Sequence, residues 1–279
     1  MSSDAAVVIP THRATPTDDD LVSIRQATRV LARHDIHLVV PGELDVAAYR
    51  ALFPSLIVTR VPERFFGSIA AHNRMLMSAD FYERFGDHRF VLIHHTDAFV
   101  FRDELDEWCA RDEDYIGPPW FAGFEKAAPD APLVGVGNGG FSLRKVATFL
   151  SITRRLAAAE DHGIISRLPT TARLVLRRTL LPGARAARTP RWLYERLFAS
   201  VCAHFPGNED LFWGLRVPRD LPGFRVIPAK DAVPFAFEVH PARLYELNGR
   251  RLPFGCHGWT KYDRPFWEPL LAAANAAGS

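Results

Sequence analysis

The chain has few cysteines, little net charge and no long apolar run. Its three cysteines, Cys109, Cys202 and Cys256, include no Cys-x-x-Cys spacing, which favours a reducing cytosol over a disulfide framework. The formal net charge is only +2, so charge does not indicate a nucleic-acid partner. No apolar run approaches the roughly 18 residues that span a bilayer. The first residues lack the basic and apolar regions of a secretory signal, so we expect a cytoplasmic protein, with the inner face of the membrane as an alternative position.

What is present is an ordinary core composition and alternating strand and helix patterns. The 279 residues are 48% apolar, which suits a single domain over residues 1–279. Apolar runs predict strands, and runs with helical spacing predict helices. The predicted strands are residues 5–10, 36–41, 56–61 and 89–101, and the predicted helices are residues 18–34, 45–53, 68–85 and 145–156. This alternation predicts an α/β fold with a mostly parallel sheet and helices on both faces.

A basic stretch interrupts this pattern. Residues 162–204 contain eight arginines and one acid, Glu195, and residues 151–204 are predicted to form a helical, arginine-rich insertion. Three interpretations stay open: a solvated helix face, a peripheral membrane contact through residues 167–196, or a binding surface for an anionic glycan.

Asp97 is the first residue that indicates chemistry. It follows a strongly apolar segment in the sequence His94-His95-Thr96-Asp97, and a carboxylate there is costly to bury unless a partner compensates it. A divalent cation is such a partner, because Mg²⁺ and Mn²⁺ take oxygen ligands and bridge phosphates. The alternative is that Asp97 only caps a turn.

Three later segments also carry candidate residues. Gly139 and Gly140 allow a ligand to approach the backbone closely, or form a simple glycine turn. The pair Glu209-Asp210 offers a general base, or begins a helix whose dipole favours acids. His257, between small residues, offers a ligand to a metal, a phosphate or a sugar, or is structural.

The order of these segments resembles the layout of the GT-A glycosyltransferases. More narrowly, the chain resembles a poorly characterised bacterial and fungal glycosyltransferase-like family that has a Thr-Asp or Ser-Asp pair in place of Asp-x-Asp. The motifs are TDAFVF (96–101), GNGGFSLR (137–144), NEDLFW (208–213) and CHGW (256–259), and the resemblance covers roughly residues 5–150 and 205–267.

The resemblance implies a GT-A-like, Rossmann-like fold and a transferase that uses a nucleotide-sugar donor. By this resemblance Asp97 holds the metal and the diphosphate, Asp210 in the Glu209-Asp210 pair is the base, and His257 completes the metal shell. A base in this role inverts the sugar, and retention is the alternative. The motif departs from the family pattern at His95, and an imidazole is a poorer ligand for Mg²⁺ than for Mn²⁺. Three alternatives follow: the site prefers Mn²⁺, the metal is weakly held, or cationic groups of the protein replace it. The acceptor is a glycan, a lipid-linked glycan or another hydroxyl compound, as in polysaccharide biosynthesis.

Further residues are expected around the two substrates. The donor nucleotide is expected to meet Thr11, His12, Arg13, Arg74 and Thr96. The sugar and acceptor are expected to meet Asn138, Gly139, Gly140, Trp120, Trp213 and Trp259. Tryptophan faces stack on sugar rings, but a position in the core explains the three tryptophans equally well.

Two other functions remain alternatives. A sugar-phosphate nucleotidyltransferase usually has a glycine-rich loop after the first strand, and residues 10–20 contain no glycine. A non-catalytic nucleotide-sugar or carbohydrate-binding module with a decayed metal site is favoured by His95.

Overall fold

The computed structural model describes residues 4–161, 205, 207–221 and 223–276. Residues 151–161 of the predicted insertion complete a long helix, and its arginine-rich part, residues 162–204, lies outside the described residues. No helix in the described part of the chain is long and apolar enough to cross a bilayer.

Within the described residues, six strands form the main sheet. They are β1 (Ala5–Pro10), β2 (Asp35–Pro41), β3 (Ile57–Val61), β4 (Phe90–His94), β6 (Tyr115–Ile116) and β9 (Phe141–Lys145). Their order is β3-β2-β1-β4-β9-β6. The first four are parallel, and β9 runs antiparallel to both β4 and β6. The predicted strands 5–10, 36–41 and 56–61 are confirmed to within one residue.

Helices cover both faces of this sheet, and the last two in the following list pack in a third apolar cluster instead. They are α1 (Asp18–Val30), α2 (Ala47–Leu52), α3 (Ile69–Leu76), α4 (Ala79–Glu83), α5 (Leu105–Ala110), α6 (Val146–Asp161), α7 (Glu209–Leu211), α8 (Val217–Asp220), α9 (Pro241–Leu247) and α10 (Arg264–Ala276). A π-helical stretch, Phe212–Arg216, joins α7 to α8, and 3₁₀ turns lie at Glu63–Phe65 and Phe124–Lys126.

The side chains of β1 show why helices pack against both faces of the main sheet. Val7 and Ile9 belong to the apolar cluster packed by α1, α2 and α5, whereas Ala6 and Val8 belong to the cluster packed by α3, α4 and α6. Successive side chains of a strand point to opposite faces, so a continuous apolar run requires a layer on each side. This confirms the predicted fold class.

Two small sheets lie beside the main one. In one, β11 (Gly255–His257) pairs parallel with β10 (Ala236–Phe237) and antiparallel with β5 (Ala98–Val100). In the other, β7 (Pro119–Phe121) pairs antiparallel with β8 (Leu133–Val136).

The predicted single helix over residues 68–85 is wrong, because it is interrupted between α3 and α4. Ser78 lies in extended backbone and its hydroxyl accepts a hydrogen bond from Phe81 N at 3.2 Å. This N-cap begins a new helix. The predicted helices 18–34 and 45–53 are shorter than expected, ending at Val30 and Leu52, and α6 extends beyond the predicted end at 156.

The predicted single strand over residues 89–101 is also wrong. It divides into β4 of the main sheet and β5 of a small sheet. Between them the backbone turns, closed by a hydrogen bond of 3.0 Å from Ala98 N to His95 O. The turn places His95, Thr96 and Asp97 beyond the carboxyl end of β4, where ligands gather in open α/β sheets.

Candidate functional site

A cleft of about 900 Å³ opens at the carboxyl edge of the parallel strands. Its walls include the loop after β1, the turn after β4, the glycine turn before β9, the start of α7 and the end of β11. The predicted residues that line it are Thr11, His12, Arg13, His95, Thr96, Asp97, Asn138, Gly139, Gly140, Glu209, Asp210 and His257.

The three residues predicted as metal ligands come together in this cleft. One ligand atom each from His95, Asp97 and His257 can lie within 4.8 Å of the others, and His257 Nε2 is 3.3 Å from Asp97 Oδ1. The small sheet explains the approach, because β11 pairs His257 with Ala98, the residue after Asp97.

This group has the ligand chemistry that a divalent cation requires. Burial, reinforced by His72 and His257, holds the pKa of His95 well below its usual value, so its imidazole is neutral, as a metal ligand must be. A Cβ at Gly140 would lie 2.0 Å from His257 Nε2. The His257 ring therefore packs directly against the backbone of Gly140, where any side chain would collide with it.

The charges of neighbouring carboxylates determine the direction of the pKa shift of His257. Burial by itself lowers its pKa, but Asp97 and Glu238 raise it to about 10. In return, His257 lowers the pKa of Asp97 well below its usual value, although partial burial acts in the opposite direction. Without a cation, His257 is the positive partner of two carboxylates.

The glycine turn is fixed by Asn138. Its Oδ1 accepts hydrogen bonds from Gly140 N at 2.6 Å and Phe141 N at 2.9 Å. The carbonyl oxygen of Gly140 in turn accepts a hydrogen bond of 2.7 Å from His95 N. These hydrogen bonds join the turn after β4 to the glycine turn. Asn138 is buried, and its side chain holds the backbone of the glycine turn in place.

Glu209 is part of a buried ion pair. Its two carboxylate oxygens accept hydrogen bonds from the Arg144 guanidinium at 2.9 and 3.0 Å, and neither side chain is exposed. Burial by itself lowers the pKa of Arg144, but Glu209 raises it above its usual value. Both oxygens of Glu209 are thus engaged, which corrects the expectation of a direct catalytic role and makes it a structural partner of Arg144.

Asp210 differs from every other carboxylate of the cleft. One of its oxygens accepts a hydrogen bond of 2.8 Å from Leu211 N, and no cationic side chain among the described residues forms an ion pair with it. Burial, followed by the charge of Glu209, raises its pKa to about 7. The other lining carboxylates each have a cationic or histidine partner: Asp19, Asp20, Asp97, Glu125, Glu209 and Glu238.

Arg13 lines the cleft from the loop after β1. Its guanidinium is 3.2 Å from Asp20, and the side chain is 52% exposed, so it is anchored at the cleft and still reachable. Asp20 also accepts a hydrogen bond of 2.8 Å from Thr17 N in the capping box of α1. Thr11 lies deeper, with its hydroxyl 3.3 Å from Tyr49 Oη.

The family model described as "Protein of unknown function (DUF5672)" matches residues 55–257. The chain belongs to this family. No curated protein matches it.

Solved structures show the fold of this family member. The galactosyltransferase LgtC, solved in complex with donor and acceptor sugar analogs, is 11% identical with a TM-score of 0.50 over 96% of this chain and 95% of that one. A glycosyltransferase involved in the glycosylation of the major capsid of PBCV-1 is 10% identical, with a TM-score of 0.44 over 96% and 98%. Core-mannan synthase A (CmsA/Ktr4) from Aspergillus fumigatus, in an Mn/GDP form, is 10% identical, with a TM-score of 0.38 over 55% and 64%. At this identity the likeness to LgtC shows a shared GT-A-like fold.

Four predicted site residues of this DUF5672 member do not line the cleft. Arg74 is exposed, and its guanidinium donates to Arg64 O at 3.3 Å. Trp213 is fully buried, with its ring centroid 4.1 Å from that of Phe149.

Trp120 and Trp259 are only 6% and 3% exposed. Trp120 packs under Gly137 and Gly214, and Trp259 lies in the apolar cluster that includes Trp267. For all three tryptophans the core position is therefore correct and the sugar contact is wrong, because their apolar area is already buried within the protein.

Two functional candidates were missed in the sequence. His72 Nε2 lies 3.0 Å from His95 Nε2, and its pKa is lowered to about 4, mainly by burial. Glu238 contacts both His257 and Asn138. Neither belongs to a recognisable motif; the only signal at Glu238 is an acid that directly follows the short apolar run of residues 235–237.

Proposed function

We propose that this protein is a glycosyltransferase that moves a sugar from a nucleoside-diphosphate sugar to a hydroxyl group of an acceptor. The observation that carries the proposal is Asp210, a carboxylate that forms no ion pair with any described residue and lies in the same cleft as His95, Asp97 and His257. The GT-A-like fold, shared with a galactosyltransferase, supports this choice.

His95, Asp97 and His257 would hold a divalent cation, with Mn²⁺ favoured over Mg²⁺ because two of the three ligands are imidazoles. Such a cation stabilises the negative charge that grows on the departing diphosphate. The charges that line the cleft also indicate that a bound diphosphate needs a cation. Among the described residues, seven carboxylates line it against three cationic side chains, Arg13, Lys261 and the protonated His257, so a diphosphate requires additional positive charge.

Residues at the carboxyl end of β1 would bind the rest of the donor. Arg13 is positioned by Asp20 and its exposed guanidinium suits a phosphate oxygen. Thr11, His12 and Thr96 line the same wall and offer polar groups to the nucleotide.

Asp210 would accept the proton of the acceptor hydroxyl as the new glycosidic bond forms. A pKa of about 7 suits this task, since a general base works best when its pKa lies near the operating pH. One carboxylate that acts on an incoming hydroxyl gives a single displacement, so we propose that the anomeric centre is inverted. The backbone of Gly139 and Gly140 would border the transferred sugar.

The remaining predictions concern the whole protein. We propose a single domain over residues 1–279 in the cytoplasm, and an acceptor that is a glycan or a lipid-linked glycan. Contact of residues 167–196 with the inner face of a membrane stays a prediction.

The test is hydrolysis of a panel of UDP- and GDP-sugars in the presence of Mn²⁺, where water replaces the acceptor. The wild type should release nucleoside diphosphate, and Asp210→Asn should be slower by about 100-fold or more. Asp80→Asn is the matched control, because Asp80 is exposed and pairs with Arg64 outside the cleft lining.

Two outcomes contradict the proposal. One is the absence of turnover with every sugar nucleotide tested, and the other is an Asp210→Asn variant as active as the wild type. Nucleotide-sugar binding without turnover indicates the non-catalytic module instead.

A further inference from the structure

The register of the small sheet places three titratable side chains in a row. Phe237, the last residue of β10, pairs with Cys256, so Glu238 directly after β10 lies beside His257 on β11. On the other side of β11, His257 pairs with Ala98, which brings Asp97 to its second flank. His257 therefore lies between two carboxylates, with Nδ1 2.9 Å from Glu238 Oε1 and Nε2 3.3 Å from Asp97 Oδ1.

A single oxygen of Glu238 accepts two hydrogen bonds. Besides the bond with His257 Nδ1, Glu238 Oε1 accepts one of 2.6 Å from Asn138 Nδ2. Asn138 Oδ1 in turn holds Gly140 N, and Gly140 O holds His95 N. The side chain of Glu238 thus reaches both histidines of the candidate cation site, one directly and one through the glycine turn.

We propose that Glu238 is the positioning residue of the cation site. By accepting from Nδ1–H it fixes the tautomer of His257 and leaves Nε2 for the cation. Histidines that bind metals usually donate their other ring N–H to a carboxylate or a carbonyl, and loss of that partner weakens the site. The inference rests on the proposed function, because it assumes that His95, Asp97 and His257 hold a cation.

Glu238 is not itself one of the ligands. The group of candidate ligand atoms within 4.8 Å of one another, searched over the described residues, consists of His95, Asp97 and His257. The Glu238 side chain is 10% exposed, and its Oε1 is engaged by Asn138 and His257. Glu238 therefore contributes by orienting the His257 ring. A measurement of metal affinity detects the loss of that orientation.

The test is calorimetric titration of Mn²⁺ into the full chain, without any sugar nucleotide. Glu238→Gln keeps the size of the side chain but removes the charge that holds Nδ1–H, and we expect Mn²⁺ binding weaker by about 10- to 100-fold. Asp97→Asn should abolish measurable binding. Glu125→Gln is the control, because it removes a carboxylate at the cleft that is exposed and pairs with Lys261; its Mn²⁺ affinity should stay within about twofold of the wild type.

A second variant guards against loss of folding. Glu238→Asp keeps the charge but is one methylene shorter, so it cannot reach Asn138 and His257 together, and binding should again weaken. If Glu238→Gln does not fold, unchanged affinity in Glu238→Asp overturns the inference.

The outcomes separate this inference from the proposed function. If Asp97→Asn abolishes binding while both Glu238 variants bind Mn²⁺ as the wild type does, the positioning role is wrong and the transferase proposal stands. If the wild type binds no Mn²⁺, the cation site of the proposed function and the role of Glu238 both fall.

Discussion

Two neighbouring acids, Glu209 and Asp210, meet opposite environments. The carboxylate of Glu209 is held by the Arg144 guanidinium at 2.9 and 3.0 Å, whereas Asp210 accepts a hydrogen bond from the backbone N–H of Leu211 and forms no ion pair with a described residue. The charge of Glu209 also raises the pKa of Asp210. Burial is the larger cause of that raised pKa, so the environment of Asp210 suits proton exchange near neutral pH.

The rate of the proposed reaction should therefore depend on the ionisation of Asp210. A base must be deprotonated, so kcat/KM should fall as pH decreases through about 7, the pKa of Asp210, and reach a plateau above it. A profile of nucleotide-sugar hydrolysis between pH 5 and 9 measures this. A rate that is flat across that window, or that rises as pH decreases, contradicts the role of Asp210 as base.

The same carboxyl should make the folded protein less stable as it ionises. Its folded pKa of about 7 exceeds the ordinary 3.8, so the folded state binds the proton more tightly and stability falls as pH rises from about 4 to 7. Above pH 7, Asp210→Asn should melt a few degrees higher than the wild type, since about 1 kcal/mol shifts Tm by roughly 2–4 °C in a protein of this size. The difference should shrink at pH 4–5; melting curves at both pH values check this, with Asp80→Asn expected to match the wild type at each.

At the scale of elements, the ion pair of Arg144 and Glu209 connects β9 to α7. Arg144 also donates to Tyr82 Oη on α4 at 3.0 Å, so one guanidinium joins three elements beneath the cleft. Breaking a buried pair leaves an uncompensated charge, whereas replacing both partners by apolar groups removes it.

Glu209→Leu should therefore lower the free energy of unfolding by about 3–5 kcal/mol. The double variant Arg144→Met/Glu209→Leu should recover part of that loss. Urea denaturation measures both, with Glu83→Gln as the control because its pair with Arg154 is exposed and should change stability by less than about 1 kcal/mol. A double variant no more stable than the single one contradicts this account.

At the scale of the whole molecule, the fold brings distant segments to one edge of the sheet. Asp97, Asn138, Asp210 and His257 lie on four separate segments and line one cleft. A ligand that binds only this assembled cleft must stabilise the folded state.

UDP or GDP with Mn²⁺ should raise the melting temperature. At 100 times the dissociation constant, binding adds about 2.7 kcal/mol, which corresponds to roughly 5 °C or more in a protein of this size. Asp97→Asn should lose the part of the shift that depends on Mn²⁺, while Asp80→Asn should keep it. Equal shifts in Asp97→Asn and the wild type contradict a cation at this site.

Local pattern determined much of this protein. The continuous apolar runs of β1, β2 and β3 are visible in the sequence because both faces of the sheet are covered, so burial imposes apolar residues in an unbroken row. His95, Asp97 and His257 were predicted together because each stands in a motif or beside one. Asp210 was selected as one half of an acidic pair.

The tertiary structure alone decided which of these residues are free to act. The ion pair of Glu209 with Arg144, the core positions of Trp120 and Trp213, and the proposed role of Glu238 depend on contacts across the sheets. Glu238 meets Asn138 from a position 100 residues away, and strand register, which no local pattern encodes, brings it beside His257. Ion pairing and burial are properties of the assembled fold. They distinguish the carboxylate of Glu209, which is held by Arg144, from that of Asp210, the proposed base.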